Sequence, residues 1–142
     1  MKWKIIVLGS AILLVLVAVA AFLLKLPDEG ATAVFSEYRN GRDGDMYVVG
    51  RYSGFPNGWD IAFFHKNREG TWHGYYLAHE SFPWSARLKP KDDSIVILER
   101  ETEVAEYWPN SGEFRHNLQG VTYLRKDATN GFGPARWGLV DE

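Results

Sequence analysis

Four histidines, His65, His73, His79 and His116, are the side chains best suited to metal or proton chemistry in this sequence. His65 and His73 flank Asn67-Arg68-Glu69-Gly70-Thr71, which reads as a type I turn with Gly70 in the left-handed position. If Asn67 pairs with Thr71, then His65 faces His73, Phe63 faces Tyr75, Ile61 faces Leu77 and Trp59 faces His79. Two imidazoles and a carboxylate can hold zinc or copper, but no local spacing supplies the third ligand. Glu80 directly follows His79 and so points to the opposite face of a strand. The histidines therefore read as polar residues at strand ends, and neither a metal nor another cofactor is expected.

Other catalytic chemistries fail on pattern. Glycoside hydrolysis needs two carboxylates at a defined separation. Glu80, Glu99, Glu101, Glu103 and Glu106 offer too many choices, and most sit in patterns of solvated strand faces or turns. Ser53-Gly54 and Ser81-Phe82 are ordinary loop sequences, and G-x-S-x-G is absent. Phosphate-loop and dinucleotide fingerprints are absent too. The chain has no cysteine, which excludes disulfides, thiol catalysis, Cys-ligated metals and a lipidated Cys. No catalytic residue is assigned.

Binding chemistry is better represented. In His79-Glu80-Ser81-Phe82-Pro83-Trp84-Ser85-Ala86-Arg87 a proline lies between two large aromatics. Proline is barred from a central ladder position, so Phe82 and Trp84 belong on a loop or an edge. Phe82, Trp84 and Arg87 are typical anchor residues, although Trp84 could equally fold back as a lid on the core. Gly54-Phe55-Pro56-Asn57-Gly58-Trp59 is a second aromatic loop. In a meander the two loops, separated by one hairpin, share a rim. The candidate binding residues are thus Phe55, Trp59, Phe82, Trp84 and Arg87.

These loops need strands to carry them. Short apolar-aromatic runs, broken by Gly-containing turns, occupy 32–38, 46–52, 59–65, 72–80, 94–100, 103–108, 113–117 and 121–126, with a weaker run at 135–140. None sustains a helical period. Ile95-Val96-Ile97-Leu98 is apolar on both faces and reads as a central strand, followed by a charged turn from Glu99 to Glu103. Asp43-Gly44 marks a turn between the first two strands. Pro109-Asn110-Ser111-Gly112-Glu113 resembles the turn at 67–71 and would set Trp108 against Phe114 and Glu106 against His116. The expected fold is an all-β antiparallel meander, closed as a small barrel or folded as a sandwich.

Ahead of the strands, Ile5 to Leu24 is an uncharged apolar run long enough for a bilayer core of ~30 Å. Lys2, Trp3 and Lys4 precede it; Lys25, Pro27, Asp28, Glu29 and Gly30 follow. Ala18-Val19-Ala20 has the small-x-small form of a signal-peptidase site, but the run exceeds the ~7–15 residues of a signal core. A retained anchor is expected, and the positive flank places the N-terminus in the cytoplasm. Removing Lys2, Lys4 and Lys25 from the 16 basic residues leaves the exported part about five charges negative against 18 acidic residues. An acidic balance excludes a general nucleic-acid binder.

The sequence is thus organised as a cytoplasmic stub and anchor (1–26), a linker (27–31) and an exported all-β domain (32–142), periplasmic or extracellular. Its expected role is a membrane-tethered binding or accessory module that engages another envelope protein or complex. The alternatives are a β-barrel that takes a small apolar ligand and an envelope hydrolase.

Overall fold

The structure is a computed structural model, and it describes residues 2–40, 42–118, 121–125 and 133–140. Helix α1 (Lys2–Leu24) is long and apolar enough to cross a membrane, and none of its residues is buried by protein. Nine strands follow among the described residues. β1 (Thr32–Asn40), β2 (Gly44–Tyr52), β3 (Trp59–Lys66) and β4 (Trp72–Glu80) form one antiparallel sheet in chain order. β5 (Ala86–Lys91), β6 (Ser94–Glu99), β7 (Thr102–Trp108), β8 (Glu113–Leu118) and β9 (Val121–Arg125) form a second. All described pairings are antiparallel neighbours, as short turns require.

Alternation along the strands sends one residue set from each sheet into a shared core. Met46, Val48, Ile61, Phe63, Tyr75 and Leu77 from the first sheet meet Leu88, Ile95, Ile97, Tyr107 and Phe114 from the second. Aromatic rings fill the centre: Tyr75 stacks on Phe114 at 4.6 Å, and Phe63 lies 5.0 Å from Tyr107. Such ring pairs add to burial by about 0.5–1.5 kcal/mol each. β6 is buried on both faces from Ser94 to Leu98, as its apolar run anticipates.

The outer face of the first sheet carries a smaller cluster of Val49, Ala62, Phe64 and Trp137. Trp137 belongs to a 3-10 turn (Pro134–Trp137), where a weak strand at 135–140 was expected. Pro134 has no N–H for a ladder, and Gly138 turns the chain away in the left-handed conformation. The Trp137 ring instead covers Phe64, 6.0 Å away. Lys126, the last residue of the expected strand 121–126, lies outside the described residues.

Two registers differ from expectation. The 67–71 turn forms as read: the Asn67 and Gly70 N–H groups donate to Thr71 and Asn67 carbonyls, and Gly70 has φ +86°. His65 therefore faces His73, and Phe63 faces Tyr75. A bulge between Ile61 and Ala62 then shifts the ladder, so Ile61 faces Ala78 and Trp59 faces Glu80. At the 109–112 turn the expected pairing is off by one. Tyr107 faces Phe114, and Trp108 faces Glu113. Pro109 cannot donate to the ladder, so the loop closes one pair earlier, with the Gly112 N–H on the Trp108 carbonyl. The slip exchanges faces. Tyr107 and His116 point inward, while Arg115 lies over Trp108 at 4.7 Å outside.

β5 was not anticipated. Its ARLKPK sequence holds one buried residue, Leu88, and Pro90 is tolerated because β5 lies at the edge of its sheet.

Candidate functional site

Topology brings three connections to one end of the domain, the end nearest α1. The 53–58 loop enters β3, the 81–85 loop leaves β4 and crosses to the second sheet, and the Arg100-Glu101 turn joins β6 to β7. Gly58 fixes the first two side by side. It has φ +85°, and a Cβ there would collide with the Glu80 carbonyl oxygen. The Arg100 N–H donates to the Ser85 carbonyl at 3.0 Å, tying the 81–85 loop to the β6–β7 turn. Between these segments lies a groove of about 440 Å³, lined by Glu80, Ser81, Phe82, Pro83, Trp84, Glu99 and Arg100.

The groove combines apolar rings with imperfectly satisfied charge. Phe82 is 74% exposed. Trp84 is half-buried, packed against the main core while also lining the groove. Glu99 Oε2 is buried and has no hydrogen-bond partner among the described residues. Burial pushes the Glu99 carboxyl above its ordinary range. Arg100 and a backbone hydrogen bond with Ser85 oppose the shift, and the charge of Glu80 adds to it. A buried acceptor without a donor costs about 1–3 kcal/mol.

A polar clasp braces the 53–58 loop. Asp60 accepts hydrogen bonds from Ser53 Oγ at 2.9 Å, Tyr76 Oη at 3.0 Å and His79 Nδ1 at 2.8 Å. Burial raises the Asp60 pKa, but bonds from His79, Ser53 and Tyr76 outweigh it and hold the carboxyl below its usual range. The same carboxylate, helped by the Asn57 backbone, raises the His79 pKa. Ser53 bonds to the carboxylate rather than to the imidazole, so these groups do not make a nucleophile–base pair.

His65 faces His73, and both of its ring nitrogens are engaged within the fold. The Asp43 carbonyl can only accept, so His65 Nε2–H donates to it at 2.6 Å. Nδ1 then accepts from the Tyr107 hydroxyl at 2.7 Å. Both ring nitrogens are occupied, and burial lowers the His65 pKa. Among the described residues no group of three His, Asp or Glu side chains is placed to hold a metal ion.

Of the residues singled out from sequence, Phe82 and Trp84 line the groove. Phe55, 61% exposed, sits on the adjoining loop. Arg87 is exposed on β5 and pairs with Glu101 at 2.6 Å, beside the turn that closes the groove. Trp59 is not at the surface. It is 8% exposed and packs between Phe35 and Tyr52, with ring centroids at 5.6 and 5.2 Å. Sequence reasoning passed over Glu99 and the Asp60 clasp. Nothing in the order of residues distinguishes Glu99 from its four acidic neighbours in the chain.

In comparisons with family models, curated proteins and solved structures, no match is found.

Proposed function

We propose that the chain is a membrane-tethered, extracytoplasmic binding module, with two sheets folded as a sandwich and α1 retained as its anchor. Its binding surface is the helix-proximal groove, and its partner is another envelope protein or complex at the same membrane. One observation carries this reading. A half-buried Trp84 lines one groove with Glu80, Arg100 and Glu99, whose carboxylate has one oxygen buried without a partner among the described residues. Aromatic anchors around a desolvated polar group are what protein interfaces concentrate. The partner group that fits presents a hydrogen-bond donor to Glu99 and an apolar or cationic face to Trp84.

The apolar-ligand alternative is less favoured, because the inward aromatic face packs on itself rather than enclosing space. The hydrolase alternative would rest on Glu80 and Glu99, which share the groove, and not on Ser53, Asp60 and His79, which are arranged as a brace.

Chemical crosslinking in native membranes, followed by purification of the tagged chain, tests the proposal. The expected result is a discrete partner that is lost with Trp84→Ala and with Glu99→Gln. A partner retained by both folded variants would overturn the groove assignment.

A further inference from the structure

Two exposed aromatics of the β domain stand at the end from which the helix departs. The Phe55 ring meets Phe22 of α1 edge-on, with centroids 6.1 Å apart. Phe22 lies two residues before the end of the apolar run, only ~3 Å along the helix axis from its boundary. A side chain that touches Phe22 of a membrane-spanning helix is itself at the depth of the hydrocarbon boundary.

The tether prevents the domain from standing away. Residues 25–29 are all that separate α1 from Gly30, whose N–H donates to the Tyr52 carbonyl at 2.7 Å. The Tyr52 N–H donates in turn to the Ala31 carbonyl at 2.8 Å, so the linker is zipped onto the end of β2. The 53–58 loop starts at the next residue. Gly58 then holds that loop against Glu80 and Ser81, immediately before Phe82. Phe82 thus belongs to the same rim as Phe55, 74% exposed, with its ring available to a neighbouring surface.

We propose that this rim rests on the bilayer that α1 spans, with Phe55 and Phe82 entering the lipid interface as a second, apolar attachment. Continuity with the helix selects lipid as the occupant of these two rings. The attraction is apolar rather than electrostatic, because the chain beyond Lys25 has an excess of acidic residues and gains nothing from an anionic leaflet. The consequence deepens the binding proposal and rests on its anchor. A groove opening at the rim is presented at the membrane surface, so its partner must reach it there.

The chain has no cysteine, so single nitroxide labels can be placed at Phe55→Cys, Phe82→Cys and, as a control at the far end, Glu69→Cys. The full-length protein is reconstituted in phosphatidylcholine nanodiscs, and intact mass establishes that α1 is present. Collision of each label with oxygen, which partitions into lipid, is compared with collision with a water-soluble nickel chelate. The expected oxygen-to-nickel ratio at positions 55 and 82 is several-fold above that at 69. It should be unchanged when part of the lipid is replaced by phosphatidylglycerol. A label at 82 as nickel-accessible as that at 69 would overturn the proposal. So would a label at 82 shielded from both reagents, which would mean that a second copy covers the rim. A signal that depends on phosphatidylglycerol would refute the apolar mechanism. A mass lacking α1 would remove the anchor and the binding proposal with it, an outcome distinct from a water-exposed rim on an intact anchor.

Discussion

Replacing Trp84 with alanine separates the structural role of this side chain from its proposed binding role. Truncating a fully buried tryptophan costs about 3–5 kcal/mol. Trp84 is packed against the core on one side and open to the groove on the other, so about half that value, roughly 2 kcal/mol, is expected. Trp59, 8% exposed and wedged between Phe35 and Tyr52, should show the full effect of about 4 kcal/mol. At ~4 °C per kcal/mol for a domain of this size, the melting temperature falls by about 8 °C for Trp84→Ala and about 16 °C for Trp59→Ala. Far-UV circular dichroism melts of the full chain in one detergent give both numbers. Partner crosslinking is then measured well below the lower melting point, where both variants are folded. Trp84→Ala should lose the partner and Trp59→Ala should keep it. Equal destabilisation by the two substitutions would make Trp84 a core lid. A Trp84→Ala protein that still captures the partner would refute its role as an anchor.

The remaining predictions concern the histidines and the loop contact. Because burial lowers the folded pKa of His65, the unfolded state binds more protons, and stability is lost as pH falls through the ordinary value of ~6.5 toward the folded one. Urea midpoints at pH 8 and pH 5 should therefore fall further for the native chain than for His65→Gln, and equal falls would contradict the buried neutral ring. His79 has the opposite sign: its raised pKa gives a contribution present below ~6.5 that fades as pH rises through the folded value. Asp60→Asn should return the His79 NMR titration toward the ordinary histidine range, and an unmoved titration would show that Asp60 does not hold the ring. Gly58→Ala should cost at least ~1–2 kcal/mol from the left-handed backbone alone, with the Glu80 collision added, by urea denaturation. A neutral substitution would mean that the 53–58 and 81–85 loops are not held together.

What could be read from the sequence was what local chemistry dictates. The strand series from Thr32 to Tyr52 and from Trp59 to Glu80 follows from alternation and glycine turns, and the 67–71 turn sets His65 against His73 correctly. Registers failed where a single residue interrupts that logic. The bulge at Ile61 leaves no mark in the alternation. At Pro109 the missing N–H moves the closing pair by one and turns Trp108 outward. β5 was invisible because an edge strand with one buried residue has almost no apolar signal. The rim was partly legible, since two aromatic loops separated by one hairpin must lie at the same end. Trp59 was misplaced because the first residue of a strand can belong to loop or core, and only the packing of Phe35 and Tyr52 decides. Glu99 depends on contacts between segments distant in sequence, the 81–85 loop and the β6–β7 turn, which no local pattern encodes.

A helix-proximal groove that serves as the proposed binding surface must have its partner lying against it. The most direct measurement is photo-crosslinking in the native membrane, from a reactive side chain at Ser81 in the groove and from one at Glu69 at the far end. A discrete adduct from Ser81 that disappears with Glu99→Gln, and none from Glu69, is the expected result. The same adducts from both positions, or an adduct from Glu69 alone, would contradict it.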